Sequence, residues 1–157
     1  MTRFHLYRHP EPGGTLAVEG DVVYTSNLAR ARVVEGIVDP RLREIDRGEA
    51  EGIAFDDLPP DLQRGLLEEP TRVRFPGGET FGELQARMLA ALDEIAARHP
   101  DATVAVVTHA GAIRAALAAW LLLPDDAVFR IELDFGGLTI VELADGVPLV
   151  RLVNGRT

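Results

Sequence analysis

Short apolar runs alternate along the chain with longer stretches in which apolar residues recur every three or four positions. Three of the apolar runs predict β-strands, at Thr2–Arg8, Asp21–Thr25 and Thr103–Thr108. The last run is apolar at almost every position, which is typical of a strand covered on both faces within a parallel sheet. These runs predict a mostly parallel sheet at the centre of the fold.

The clearest helical spacing follows the turn Pro76–Glu79. Thr80 and Glu83 have the spacing of a capping box, and Pro100 stops the pattern soon after Arg98. Between these limits, apolar residues repeat on one helical face at Phe81, Leu84, Met88, Leu92 and Ile95. The spacing predicts a long helix that packs one face against the sheet.

Two further helices are predicted. Ser26 has the character of an N-cap for a helix over Asn27–Glu35, which Gly36 and Pro40 would close. A second helix is expected from Ala110 to Leu122, directly after the buried strand. Strands that alternate with helices in this way are typical of an α/β fold.

The other segments carry weaker patterns. Glu11–Gly20 is rich in Gly and Pro and is predicted to be a loop, and residues 54–69 hold short helical pieces. The remaining strands are expected at Leu42–Ile45, Arg130–Leu133, Leu138–Ala144 and Leu149–Val153.

Composition limits the possible functions. With 157 residues the chain is expected to form one domain, residues 1–157, and 26% charged residues are ordinary for a globular protein. The net charge of −9 argues against nucleic acid or an anionic membrane as a partner. No signal-like N-terminus is present and cysteine is absent, so we expect a cytoplasmic protein. All 16 basic residues are Arg, and we therefore expect any anion site to be built from Arg.

Arginine, histidine and glutamate residues follow the predicted strands and turns. Arg8 and His9 end the first strand, His109 ends the buried strand, and Arg30 and Glu79 lie near the starts of two predicted helices. Guanidinium groups and helix N-termini match the oxygens of a phosphoryl group. A zinc site built from His9, His109 and Glu79 is an alternative, but these residues lack the tight spacing of zinc ligands.

Five segments taken together resemble the histidine phosphatase, or phosphoglycerate-mutase-like, superfamily, and in particular its alpha-ribazole phosphatase type. They occur in the order of that family's motifs: Arg8–Glu11 (RHPE), Thr25–Ala31 (TSNLARA), Leu42–Gly52 (LREIDRGEAEG), Pro76–Glu79 (PGGE) and Thr108–Arg114 (THAGAIR). The resemblance implies a three-layer α/β sandwich around the sheet.

The resemblance also implies roles for individual residues and a metal-independent phosphatase without a cofactor. His9 would accept the phosphoryl group, Glu79 would donate and later accept a proton, and Arg8, Arg30 and His109 would hold the phosphate oxygens. Glu11 would contact the leaving group or only solvate its loop. Arg43 and Glu44 are interpreted as an ion pair that braces the sheet edge. The expected substrate is a small phosphorylated metabolite, with alpha-ribazole 5'-phosphate the leading named candidate.

One segment departs from the family pattern. Only 15 residues, Glu11–Thr25, separate Pro10 from Ser26, so the family's first helix is expected to be missing. Its absence would bare an apolar face of the sheet, from which we expect a second copy of the chain to cover it in a homodimer. It would also open the substrate pocket and loosen substrate preference.

Two other functions compete with the phosphatase. A phosphoglycerate-type phosphomutase needs a closed pocket, which the short segment disfavours. A non-catalytic phosphate-binding or interaction module is disfavoured by the intact set Arg8, His9, Arg30, Glu79 and His109.

Overall fold

The computed structural model describes residues 1–156, which build one six-stranded sheet. Its strands are β1 (Thr2–Arg8), β2 (Val22–Thr25), β3 (Ile37–Val38), β4 (Thr103–Thr108), β5 (Leu138–Ala144) and β6 (Val147–Gly155). The strand order is β3-β2-β4-β1-β5-β6, with β1 to β4 parallel and β5 antiparallel to both β1 and β6. The predicted α/β class and the mostly parallel sheet are confirmed.

Three α-helices accompany the sheet: α1 (Pro60–Glu68), α2 (Phe81–Arg98) and α3 (Ala110–Trp120). Five short 3₁₀ segments lie in the connections, at Ala29–Ala31, Pro40–Leu42, Gly48–Ala50, Phe55–Asp57 and Asp125–Arg130. The predicted capping box is present, since the Thr80 hydroxyl accepts from the Glu83 N–H and the Glu83 carboxylate accepts from the Thr80 N–H. Within the described residues, no helix is long and apolar enough to cross a bilayer.

The main core lies on one face of the sheet. Phe4 and Leu6 of β1 and Val104 and Val106 of β4 are fully buried there, against the apolar faces of α2 and α3. Because successive side chains of a strand point to opposite faces, only every second residue of these strands contacts the helices and joins this core. The other residues point to the opposite face.

The opposite face is covered by an extended segment instead of a helix. No helix lies between Arg8 and Val22, as expected from the short segment. Leu16 and Val18 pack there against a small cluster of Tyr7, Ala105 and Leu138. Elsewhere this face carries charge, with Glu142 close to Arg3 (3.9 Å) and Arg151 (3.2 Å). At the outer strand of this face, Val147, Leu149 and Leu152, which pair with Ala144, Glu142 and Ile140 of β5, remain exposed. The homodimer that was expected to cover the face stays a prediction.

The helix predicted over Asn27–Glu35 is wrong. The Ser26 Oγ accepts the Leu28 N–H at 3.2 Å, as an N-cap would, but only the 3₁₀ turn Ala29–Ala31 follows. The chain then runs to β3, which pairs in parallel with β2. Only 11 residues connect these strands, whereas a parallel crossover that includes an α-helix usually takes a dozen or more. The connection is therefore too short for the predicted helix.

The strands predicted at Leu42–Ile45 and Arg130–Leu133 are also wrong. The first becomes part of a turn that Asp39 caps by accepting the Arg41 N–H at 3.0 Å. In both segments, backbone carbonyls accept hydrogen bonds from arginine side chains. Arg87 donates to the carbonyls of Arg43 and Glu44, Arg8 donates to that of Leu133, and Arg114 donates to that of Ile131. The backbone carbonyls of these segments are therefore hydrogen-bonded to arginine side chains and not to a neighbouring strand.

Candidate active site

His9 lies at the carboxyl end of β1, the edge at which parallel sheets place their ligands. Its side chain is buried, and its Nδ1 is 2.9 Å from the Pro10 carbonyl oxygen. Because a carbonyl oxygen can only accept, Nδ1 carries the hydrogen and Nε2 keeps its lone pair. The backbone N–H of His9 donates to Thr108 at the end of the neighbouring β4. The structure thus holds His9 in the tautomer of a nucleophile.

His109 follows β4 at the same edge and precedes the first turn of α3. Its ring centroid lies 5.1 Å from that of His9, and the residue is fully buried. The His109 Nε2 is 2.7 Å from the Ser26 Oγ, whose hydroxyl hydrogen can donate to it. The hydrogen of the imidazole is then on Nδ1, which is buried and has no hydrogen-bond partner among residues 1–156.

Arg8 extends from the last residue of β1. Its Nη1 donates to the Leu133 carbonyl at 2.7 Å, and its guanidinium lies over the Phe135 ring, 4.0 Å from the centroid. Its Nε is buried without a partner among the described residues. Phe135 also contacts His9, with ring centroids 5.7 Å apart. The sequence analysis missed Phe135 because a single aromatic residue before two glycines carries no signal of its own.

Arg30 reaches the site from the turn Ala29–Ala31 and is exposed. Its positive charge lowers the pKa of both His9 and His109, so the guanidinium lies within electrostatic reach of the two imidazoles. No hydrogen bond is recorded for its side chain within residues 1–156, which leaves its donors available to a ligand.

Both imidazoles are kept neutral. Burial lowers the pKa of His9, and the charges of Arg30 and Arg8 lower it further, while the bond to the Pro10 carbonyl acts in the opposite direction. Burial, Arg30 and His9 lower the pKa of His109 to about 3. The site therefore joins two neutral imidazoles and two guanidinium groups, a combination that can bind an anion and attack it.

The Glu79 carboxylate is hydrogen-bonded to Arg87 and not to the histidines. Its Oε2 accepts from Arg87 Nε at 2.9 Å, its Oε1 from Arg87 Nη2 at 2.8 Å, and the Asp46 N–H also donates to Oε1. Although burial acts in the opposite direction, these bonds to Arg87 and Asp46 lower the pKa of the Glu79 carboxyl. A carboxylate held in this way is poorly suited to carry a proton at neutral pH.

Glu44 is a second carboxylate near the site. Its negative charge opposes the lowering of the pKa of His9 and of Arg8, so it lies within electrostatic reach of both. Its Oε2 accepts from the Gly111 N–H at 3.0 Å, and a Cβ at Gly111 would lie 2.3 Å from its Oε1. The glycine of the THAGAIR segment is therefore needed for Glu44 to approach α3.

The sequence analysis missed the role of Glu44 by pairing it with Arg43. No ion pair between these two residues is present among the described contacts. The sequence signal that could have identified Glu44 was its position between Leu42 and Gly48, in a segment that the resemblance already contained. Glu11, by contrast, is exposed, and no side-chain hydrogen bond to it is recorded within residues 1–156. The structure gives no contact that would bring Glu11 into the site.

The described residues hold no cluster of three or more His, Asp or Glu side chains with the geometry of a metal site.

Comparison with known proteins gives a consistent family. The profile of the histidine phosphatase superfamily (branch 1) matches residues 16–156. The bifunctional protein Rv2228c of Mycobacterium tuberculosis (strain ATCC 25618 / H37Rv) is 37% identical over 130 residues, which are 80% of this chain and 35% of that protein. The chain thus spans about a third of the length of this relative.

For two further similar proteins, the matched region covers more of their own length. Phosphoserine phosphatase 1 of Hydrogenobacter thermophilus (strain DSM 6534 / IAM 12695 / TK-6) is 35% identical over 148 residues, 85% of this chain and 70% of the relative. The crystal structure of a putative alpha-ribazole-5'-P phosphatase from Escherichia coli (str. K-12 substr. MG1655) superimposes with a TM-score of 0.78 at 19% identity. It covers 99% of this chain and 97% of that one.

Proposed function

Because the chain belongs to the histidine phosphatase superfamily, branch 1, we propose that it hydrolyses phosphomonoesters through a phosphohistidine on His9, without a metal or cofactor. The observation that carries the proposal is the pair of buried, neutral imidazoles with centroids 5.1 Å apart, flanked by Arg8 and Arg30. This arrangement supplies one nucleophile and several cationic or neutral donors to a single tetrahedral anion.

The phosphoryl group is held by donors that are available in the structure. Arg30 and Arg8 supply guanidinium N–H groups, and the unpartnered Nδ1–H of His109 supplies another donor. Phosphoryl transfer asks mainly for in-line positioning and for stabilisation of charge on the equatorial oxygens, and these donors provide both. His109 contributes without a positive charge, since its imidazole is neutral.

The first chemical step forms an Nε2–P bond on His9 and breaks the bond between phosphorus and the ester oxygen. The leaving oxygen takes a proton from the Glu44 carboxyl group, so an alcohol departs. In the second step a water oxygen attacks phosphorus, Glu44 takes a proton from that water, and the Nε2–P bond breaks. Inorganic phosphate leaves, His9 regains its lone pair and Glu44 is again protonated.

Glu44 is assigned the proton transfer in place of Glu79. Glu44 lies in electrostatic reach of His9, whereas both carboxylate oxygens of Glu79 are engaged by Arg87. Glu79 instead acts through Arg87, which donates to the carbonyls of Arg43 and Glu44 and so fixes the segment that carries Glu44. Its role is to position the proton donor.

Alpha-ribazole 5'-phosphate is the leading named substrate. Two observations support it, the resemblance of the five ordered motifs and the similarity in fold to the Escherichia coli protein. Phosphoserine is the competing small substrate, because a relative is a phosphoserine phosphatase.

Steady-state release of inorganic phosphate in the presence of EDTA tests the proposal. Alpha-ribazole 5'-phosphate, phosphoserine and 3-phosphoglycerate are compared for the wild-type chain and for His9→Ala. We expect hydrolysis by the wild type and a loss of at least about 10³-fold in His9→Ala, the scale of removing a covalent nucleophile. Isomerisation of 3-phosphoglycerate without phosphate release would identify a mutase, and binding without any turnover would identify a non-catalytic module.

A further inference from the structure

A cavity of about 440 Å³ opens beside the proposed proton donor. Its lining is dominated by apolar side chains from α1, α2 and the surrounding turns, among them Phe55, Leu58, Leu67, Phe75, Phe81 and Phe129. The volume falls within the roughly 300–1,000 Å³ of pockets that bury drug-sized ligands. It greatly exceeds the space that a seryl or glyceryl group needs.

The cavity adjoins the reacting groups. Glu44, Ala110 and Gly111 form part of its wall, and Ala110 directly follows His109 in the chain. The Glu44 Oε2 is itself bonded to the Gly111 N–H in that wall. A leaving group that receives its proton from Glu44 can therefore extend into this cavity.

The lining is suited to a ring. Phe81 and Phe129 pack edge to face with centroids 5.0 Å apart. Two guanidinium groups lie over other ring faces of the lining, Arg47 at 5.5 Å from the Phe75 centroid and Arg114 at 5.9 Å from the Phe129 centroid. Aromatic rings and the flat faces of guanidinium groups both stack favourably on aromatic ligands.

Arg114 adds a polar group to this wall. Its Nε donates to the Ile131 carbonyl, which is its one recorded hydrogen bond within residues 1–156, and burial lowers its pKa. Its Nη groups can donate to an oxygen of a leaving group that carries hydroxyls between the ester and an apolar body.

We propose that this cavity holds a bulky, ring-bearing part of the leaving group, so that the chain prefers phosphomonoesters of ring-containing alcohols over those of small polar alcohols. The inference rests on the proposed phosphatase function and adds the substrate class that the cavity selects. It differs from the loose preference expected of an open pocket, because it predicts a ranking by apolar size.

The test compares alkyl phosphates whose leaving alcohols have similar acidity: ethyl phosphate, 2-phenylethyl phosphate and 2-(1-naphthyl)ethyl phosphate. Burial of an apolar side chain the size of phenyl is worth about 10- to 100-fold in affinity. We expect kcat/KM for 2-phenylethyl phosphate to exceed that for ethyl phosphate at least tenfold, with the naphthyl compound equal or better.

Leu67→Ser assigns the effect to the cavity. Leu67 is 49% exposed, so its replacement is tolerated by the fold, and Leu149→Ser on β6 is the matched control at 50% exposure outside the cavity. The ratio of kcat/KM between the phenylethyl and ethyl compounds should fall about three- to tenfold in Leu67→Ser and stay within twofold in Leu149→Ser.

The outcomes separate the inference from the function it rests on. A ratio near one with normal hydrolysis of all three compounds would overturn the substrate class and leave the phosphatase intact. An equal fall of the ratio in Leu149→Ser would also overturn it. No hydrolysis of any compound, with no phosphate on His9, would remove the proposed function itself.

Discussion

The Arg87 guanidinium and the Glu79 carboxylate meet at two points, Nε to Oε2 at 2.9 Å and Nη2 to Oε1 at 2.8 Å. The other donors of Arg87 bind the carbonyls of Arg41, Arg43 and Glu44. One side chain of α2 thus ties the PGGE turn to the segment that carries the proposed proton donor. The carboxylate of Glu79 orients that arginine.

Replacing Glu79 by Gln should therefore affect stability more than chemistry. The half-buried Arg87 would lose its charged partner, and we expect the free energy of unfolding to fall by about 1–3 kcal/mol. Because Arg87 keeps its bonds to three carbonyls, kcat should fall less than tenfold. Urea denaturation and steady-state kinetics of Glu79→Gln measure the two effects. A fall in kcat of more than about 10³-fold at unchanged stability would make Glu79 the proton donor.

Glu44→Gln should separate the two chemical steps. General acid catalysis contributes about 10²- to 10⁴-fold when the leaving group is an alkoxide, and little when it is 4-nitrophenolate, which leaves without a proton. We expect the variant to release about one equivalent of 4-nitrophenolate per site in a rapid burst from 4-nitrophenyl phosphate. Slow turnover follows, because Glu44 is also needed to activate water. Stopped-flow absorbance measures the burst.

Glu79→Gln serves as the control for this experiment, since it removes a carboxylate from the same region without removing Glu44. The assignment to Glu44 fails if Glu44→Gln loses kcat/KM, which reports the phosphorylation step, by the same factor for ethyl phosphate and for 4-nitrophenyl phosphate.

The two histidines should titrate abnormally low. The pKa of His9 is lowered by burial and by Arg30 and Arg8, so its ring should titrate below pH 6.5. In Arg30→Gln the pKa of His9 should rise, because a positive neighbour is removed. Arg32→Gln, at an exposed residue two positions away, should leave it unchanged. Titration of the imidazole nitrogens by NMR reads these values, and a wild-type His9 pKa at or above 6.5 would contradict the electrostatics described here.

His109 should also make the stability of the fold depend on pH. Its pKa of about 3 in the folded chain lies below the usual 6.5, so the unfolded chain binds one more proton between these values. Stability is then complete above pH 6.5 and is lost as pH falls, at no more than about 1.4 kcal/mol per pH unit. The difference in unfolding free energy between wild type and His109→Asn should shift in this direction from pH 6.5 to pH 4. A difference independent of pH would show that His109 is not held neutral.

Much of the fold could be predicted from local patterns. β1, β4 and α2 follow from continuous apolar runs and from a capping box with helical spacing, features that need no distant partner. The strands wrongly predicted at Leu42–Ile45 and Arg130–Leu133 share one cause. Their carbonyls bind Arg87, Arg8 and Arg114, which lie far away in the sequence. Such contacts leave no periodic signal.

The candidate site was predictable to the same extent. Arg8, His9 and His109 lie at strand ends, so their convergence follows from the parallel sheet. Glu79 and Glu44 both lie in irregular segments, and their roles depend on which of them Arg87 engages. Only the three-dimensional structure shows that Glu79 binds Arg87, whereas Glu44 lies within electrostatic reach of His9.

The most direct test of the account is the identification of the phosphorylated atom. The chain is mixed with ³²P-labelled 4-nitrophenyl phosphate, quenched within milliseconds in alkali, and digested for mass spectrometry. We predict acid-labile, alkali-stable phosphate on His9, absent from His9→Ala and accumulating in Glu44→Gln. Rapid turnover with no phosphate on His9, or phosphate on His109 instead, would contradict the account.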